Sequence, residues 1–200
     1  MTKNIAFILF NDAEELDFVG PWEVLTSMRH VDEDAARCYT VSEHGGTVTC
    51  AKGLRVLADY SFADAPKPDI FIVPGGMGTR TEVDNPAFMA YIGEVAKSAE
   101  ISTSVCTGAL VLERAGLLKG KKATTWWGMR PHLGEKDGVE VVEERWVDEG
   151  DVITAAGVSA GIDMALHLVG RLWGPEKARL VQKYIEYYPA PPYAEVPVPA

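Results

Sequence analysis

Hydrophobic positions fall into short unbroken runs at Ile5–Phe10, Ile70–Val73 and Ile101–Val105, each giving way to turn residues and then to a longer segment with helical spacing. A strand covered on both faces has no solvent side for polar residues, so such runs suit the centre of a parallel sheet. The helical segments are Val19–Met28, Pro86–Ser98, Thr107–Leu117, Ser159–Trp173 and Pro175–Tyr187. This alternation predicts an α/β fold, a doubly wound and mostly parallel sheet flanked by helices on both faces. Arg37–Glu43 with Thr47–Ala51, and Val139–Val147 with Asp151–Ala155, depart from the pattern and read as hairpins or antiparallel additions. Their reversals fall at Gly45-Gly46 and Glu149-Gly150-Asp151. Five prolines between Pro189 and Ala200 forbid a helix there and predict an extended tail, lying on the surface or against a partner subunit.

Composition narrows the possibilities. The chain has 200 residues, 47% of them hydrophobic, and no linker-like stretch divides it, so a single domain over residues 1–200 is expected. A net charge of −10 without a Lys/Arg cluster repels a phosphate backbone or an anionic bilayer, so neither nucleic acid nor membrane is an expected partner. The apolar run at the N-terminus is too short for a membrane span and meets acidic residues at once, which reads as a first buried strand of a cytoplasmic protein. Cys38, Cys50 and Cys106 lack the spacing of a zinc site, so no metal is expected. Cys38 and Cys50 flank the His44-Gly45-Gly46 turn and would sit on neighbouring strands of a hairpin, where a reducing compartment keeps them as thiols.

Candidate chemistry centres on Cys106, which stands between the β-prone run Ile101–Val105 and the helix-forming run after Thr107. A strand, a tight turn and a helix with a thiol at the apex form a nucleophile elbow. The first N–H groups of the helix would favour thiolate, and Gly108 and Ala109 leave room for the helix to pack under the strand. In an open parallel sheet the ligand crevice lies beyond the carboxyl ends of the strands. Asn11–Gly20, Pro74–Gly78 and Cys106–Gly108 all leave such ends. Gly75 and Gly76 can bring bare backbone N–H groups to a developing negative charge. Asp17, flanked by Leu16, Phe18 and Val19, either caps the helix that contains Pro21 or, in a dry crevice, holds a proton at a raised pKa beside the thiol. Glu14 and Glu15 are expected to face solvent.

Five ordered motifs complete the picture: Asp17-Phe-Val-Gly-Pro21, Val73-Pro-Gly-Gly76, Thr103-Ser-Val-Cys106-Thr-Gly108, Gly116-Leu-Leu-Lys-Gly120-Lys-Lys-Ala-Thr-Thr125 and Ala156-Gly157-Val-Ser-Ala-Gly161-Ile-Asp163. Together they resemble the ThiJ/PfpI superfamily of class I glutamine amidotransferase-like domains and, within it, the isocyanide hydratases, over nearly the whole chain. The resemblance implies a flavodoxin-like α/β sandwich, usually a homodimer, with a reactive cysteine at the elbow and an acid reaching it from the loop after the first strand. In the hydratase pattern that acid is aspartate, as Asp17 is here, and threonine follows the cysteine, as Thr107 does. The chain departs from the pattern after Thr124-Thr125, where Trp126-Trp127 stands in place of a histidine. No Cys-His dyad is therefore expected, and His30, His44, His132 and His167 lie outside the motifs. Trp126 reads as a wall of a drier pocket or as an obstruction to it, and Gly157 and Val158 as packing behind the cysteine.

The activity so implied is addition of water to an organic isocyanide, giving an N-substituted formamide without a cofactor. Cys106 as thiolate attacks the terminal carbon while Asp17 supplies its proton, and Thr107 and the Gly75 or Gly76 backbone orient water or hold the intermediate. Two alternatives keep the same cysteine. One is glyoxalase-type hydration of 2-oxoaldehydes; the other is a sensing module in which Cys106 is oxidised without turnover.

Overall fold

The computed structural model describes residues 2–190, so the proline-rich tail expected over Pro189–Ala200 lies almost wholly outside the described residues. A seven-stranded sheet forms the centre, in the order β10-β11-β7-β6-β1-β2-β5. Its strands are β1 (Lys3–Ile8), β2 (Ala36–Ser42), β5 (Tyr60–Ser61), β6 (Ile70–Val73), β7 (Ile101–Val105), β10 (Trp146–Asp148) and β11 (Val152–Ala155). All neighbours run parallel except β10 and β11. The hairpin β3 (Gly46–Thr49) and β4 (Arg55–Ala58), and the parallel pair β8 (Lys121–Ala123) and β9 (Val139–Val141), stand apart from it.

Strand β1 shows why the central runs are unbroken. Ile5, Phe7 and Leu9 join the hydrophobic layer on one side of the sheet, and Ala6, Ile8 and Phe10 join the layer on the other. Alternation along a strand normally separates core from solvent; here both sides are core, at about 1.5 to 3 kcal/mol for each large side chain removed from water. Helices α1 (Glu15–Thr26), α6 (Ala160–Trp173) and α7 (Pro175–Tyr184) cover the first side. Helices α3 (Pro86–Ser98), α4 (Gly108–Arg114) and the short α5 (Arg130–Gly134) cover the second, with α2 (Thr79–Glu82) beside α4. Helix α3 illustrates the local rules: Asn85 accepts the N–H groups of Ala87 and Phe88, Pro86 opens the first turn, and Phe88, Ile92 and Val95 form its buried stripe.

Several sequence expectations are corrected. Arg37–Glu43 does not pair with Thr47–Ala51; it is largely β2, parallel to β1, while β3 turns to β4 instead. Burial of Tyr39, Thr40, Val41 and Ser42 places β2 inside the main sheet, which the polar ends of that segment conceal. The reversal at Glu149–Asp151 does join β10 to β11, but Val139–Val141 is a separate strand paired with Lys121–Ala123. Helix α1 starts at Glu15, so Asp17 lies in its first turn and not ahead of it, and Glu14 at the cap position makes no side-chain capping bond. Cys38 lies in β2 and Cys50 just after β3, so the two are not hairpin neighbours, while both are free thiols as expected.

At the carboxyl ends the sheet is tightly packed. A Cβ on Gly108 would fall 2.2 Å from the carbonyl oxygen of Val73, so α4 presses on the end of β6 at backbone contact. Gly93, within α3, has nothing within 4 Å of a Cβ. Gly108→Ala is therefore expected to cost about 2 to 4 kcal/mol in urea unfolding, whereas Gly93→Ala gains about 0.5 to 1 kcal/mol from helix propensity alone.

Candidate active site

Four chain segments meet around Cys106. The residue is held at φ 56°, a left-handed conformation that a non-glycine residue rarely adopts. Its N–H donates to the carbonyls of Ala156 at 2.9 Å and Ala155 at 3.1 Å. Its own carbonyl accepts the Thr125 hydroxyl at 2.7 Å. The elbow is thus pinned from β11 on one side and from the segment after β8 on the other. Val158 is also left-handed, at φ 49°, and its side chain is β-branched, so this second bend carries strain of about 1 to 3 kcal/mol.

Asp17 is fully buried. Its Oδ2 accepts the Gly75 N–H at 2.8 Å, and the Gly75 carbonyl accepts the Glu14 N–H at 2.9 Å. Oδ1 is buried without a hydrogen-bond partner. The Cys106 side chain acts on this carboxyl without forming a well-directed bond to it. Burial, opposed by the Gly75 N–H, pushes Asp17 up to about 7, and the nearby Glu14 carboxylate adds to the rise. Glu14 and Glu15 are not the free surface acids expected from sequence, because both pair with Lys52 beside the site.

Cys106 is 6% exposed. Burial first, and the Asp17 charge second, push its thiol up to about 12, while the N–H groups of Thr107 and Val158 and the Thr107 hydroxyl favour the ionised sulfur. This corrects the expectation of a resting thiolate: desolvation outweighs the donors, which come from the elbow and from Val158. Burial raises both groups, and each one's charge disfavours ionisation of the other, so carboxyl and thiol titrate as a coupled pair.

Gly75 and Gly76 also differ from expectation. Their N–H groups are already bonded, Gly75 to Asp17 and Gly76 to the Thr107 hydroxyl at 3.0 Å. Neither is left to face a developing charge. Both positions need glycine for space: a Cβ on Gly75 would meet Thr107 N at 2.5 Å, Thr107 Oγ1 at 2.7 Å and Asp17 Oδ2 at 2.8 Å. On Gly76, at φ 115°, it would meet the Asp12 carbonyl at 2.2 Å. Gly157 gives way to Trp126, whose ring would lie 2.5 Å from a Cβ there, and the same ring covers Gly128. Half-buried Trp126 is thus a wall beside the Val158 bend.

Thr79, Arg80 and Thr125 escaped sequence reasoning. Arg80 Nη1 donates to the Gly76 carbonyl at 2.9 Å and approaches the Thr107 hydroxyl at 3.4 Å. Helix α2 is too short to show periodicity; adjacency to Pro74-Gly75-Gly76 was the one signal. His30 stacks on Tyr184, His44 and His132 pair with Glu43 and Glu135, and His167 pairs with Asp148, so none of the four joins Cys106.

A parallel α/β sheet with a cysteine at the bend after a central strand, and a buried acid brought to it from the first helix, defines a class of elbow-cysteine protein. Residues 3–171 match the DJ-1/PfpI family, and the chain belongs to that family. It is 39% identical to the isonitrile hydratase of Pseudomonas putida over 193 residues, covering 96% of this chain and 82% of that protein. The crystal structure of a ThiJ/PfpI family protein from Pseudomonas syringae superposes with a TM-score of 0.90 at 32% identity, over 97% of this chain and 78% of that one. Drosophila melanogaster DJ-1beta superposes with a TM-score of 0.81 at 26% identity, over 93% and 98%.

The buried carboxyl carries a thermodynamic signature. Asp17 binds its proton more tightly in the fold, at about 7, than at its ordinary 3.8, so its contribution to stability is greatest below about pH 4 and is lost as pH rises through 7. Asp17→Asn removes the ionisation. The variant should gain on the native protein between pH 4 and pH 8 by about 2 to 4 kcal/mol, read from urea midpoints at the two values.

Proposed function

We propose that the chain hydrates organic isocyanides to N-substituted formamides, with Cys106 as nucleophile and Asp17 as proton carrier. The observation that carries this is the buried pair itself: one thiol and one carboxyl enclosed together at the elbow, both raised by burial, with no histidine beside them. An isocyanide carbon must gain a bond to sulfur and a bond to hydrogen, and the pair supplies both. The likeness to an isonitrile hydratase supports the substrate class. A nearly closed sulfur also suits the slim, linear head of R–N≡C better than a branched carbonyl.

Asp17 carboxylate takes the Cys106 proton as sulfur attacks the terminal carbon, then delivers that proton to the same carbon, leaving a thioimidate S–CH=N–R. Asp17, again a carboxylate, takes a proton from water as its oxygen adds to this carbon and passes that proton to nitrogen. The tetrahedral adduct then collapses: the carbon–sulfur bond breaks, the hydroxyl proton returns to sulfur, and R–NH–CHO leaves. The N–H groups of Thr107 and Val158 face the sulfur as it gains and loses charge. Trp126 is the apolar wall, and no cofactor takes part.

Among the described residues no helix is long and apolar enough to cross a membrane. A cytoplasmic location is part of the proposal, as is a homodimer. Val19 on α1 and Leu57 on the β3–β4 hairpin are exposed around a groove of about 270 Å³ that also contains Phe18, Trp22 and Val56, an apolar face of the kind a second copy covers. Light scattering should give twice the 21.7 kDa chain mass.

Purified protein incubated with an aryl isocyanide should release the formamide, and Cys106→Ala should abolish turnover. Formamide release that persists in Cys106→Ala excludes the covalent route, and failure on every isocyanide excludes the assignment. The coupled pair also sets the pH dependence. Below about 7 Asp17 is protonated and cannot accept the thiol proton, so kcat/KM should rise with pH through that value and level off above it. Asp17→Asn should remove the activity by at least about 100-fold.

A further inference from the structure

Hydrogen-bond capacity around Gly76 points to a residue pair that acts on the cysteine through Thr107. The Thr107 hydroxyl has one hydrogen to give. Besides sulfur, it lies within reach of the Gly76 carbonyl at 3.2 Å and the Thr79 hydroxyl oxygen at 3.3 Å. Other donors crowd both competitors, the Gly76 carbonyl more than the Thr79 oxygen. The Gly76 carbonyl has two lone pairs, and two closer donors fill them, the Thr79 hydroxyl at 2.8 Å and Arg80 Nη1 at 2.9 Å. The second hydrogen on Arg80 Nη1 points to Thr79 Oγ1 at 3.2 Å. Meanwhile Thr107 Oγ1 itself accepts the Gly76 N–H at 3.0 Å and faces the guanidinium at 3.4 Å, so its electron-rich side is turned toward α2. With the acceptors toward α2 contested in this way, the least contested partner left to the hydrogen is the Cys106 sulfur, which the Thr107 hydroxyl reaches at the elbow.

We propose that Arg80 and Thr79 are positioning residues that occupy the alternative acceptors of the Thr107 hydroxyl and so direct its hydrogen onto the Cys106 sulfur. Thr79 is fully buried, and the bonds of Arg80 among the described residues all go to uncharged oxygens, so its charge is not spent on a carboxylate. Loss of either residue frees an acceptor. Thr107 then turns to it, and the sulfur loses a donor when it ionises. The inference rests on Cys106 being the reactive group, but not on the identity of the substrate.

The test is the rate of alkylation of Cys106 by iodoacetamide between pH 6 and pH 10, followed by mass spectrometry of the Cys106 peptide so that Cys38 and Cys50 do not contribute. Arg80→Met should slow alkylation at neutral pH by about tenfold, the worth of one hydrogen bond to a charged group. Thr107→Val should do the same. The decisive measurement is Arg80→Met in the Thr107→Val background, where the further loss should be less than about twofold. Equal losses in both backgrounds would mean that Arg80 acts only as a nearby charge, and would overturn the proposal, as would an unchanged profile in Arg80→Met. Should Arg80→Met fail to fold, Thr79→Val keeps the guanidinium and should slow alkylation in the same Thr107-dependent way; no change there would equally overturn it. Absence of isocyanide turnover in the native protein would remove the hydratase proposal while leaving this result intact, because alkylation needs no substrate.

Discussion

The missing side chain at Gly75 is the constraint on which the site depends. Its backbone is the meeting point of α1, the end of β6 and the elbow after β7. One peptide group binds the Asp17 carboxyl through its N–H, and the carbonyl of the same residue binds the Glu14 N–H. The space that any Cβ would take is filled by the carboxyl and by the Thr107 backbone and hydroxyl. Acid and cysteine come from opposite halves of the chain, and close packing around a bare backbone holds them together. No ion pair or bridging histidine takes part. An uncharged attachment suits a buried acid that must release and regain a proton, and the nearby Lys52, which favours the ionised carboxyl, is itself paired with Glu14 and Glu15.

Burial gives this pair its chemistry and also limits it. A charge in a dry site is unfavourable, so the carboxyl titrates near neutrality and the thiol resists ionisation. Expecting the elbow to stabilise a thiolate outright weighs the donors and neglects the solvent that the sulfur gives up. With desolvation included, sulfur ionises only as its proton moves to Asp17, so the pair changes where a charge sits without changing how many it holds. The donors at Thr107 and Val158 then matter most as that proton moves.

Much of the fold was legible because its central strands have no solvent face. Ile70–Val73 and Ile101–Val105 coincide with β6 and β7, and Pro86–Ser98 with α3, where a capping asparagine and a proline mark the start. Strand β2 is less legible because register and partner are decided by distant residues: a run with Arg37 and Glu43 at its ends reads as half-exposed until β1 lies beside it. For the site, the elbow pattern pointed to Cys106, and the family resemblance added roles for Asp17 and Thr107; the fold brings the three together. It could not reveal that Gly75 and Gly76 spend their N–H groups internally, nor that Arg80 folds back onto them. Both facts depend on three-dimensional closure of a loop whose helix is four residues long.

The position of the elbow within the sheet has a further consequence. Cys106 follows β7, which lies between β6 and β11 and is separated from both outer strands, the two-residue β5 and the antiparallel β10. Outer strands are the first to fray, since their backbone groups are held from one side only. Transient opening at either border of the sheet therefore leaves β6, β7 and β11 zipped. Amide protons beneath the sulfur are therefore expected among the slowest to exchange, with the nucleophile carried by the most protected part of the sheet.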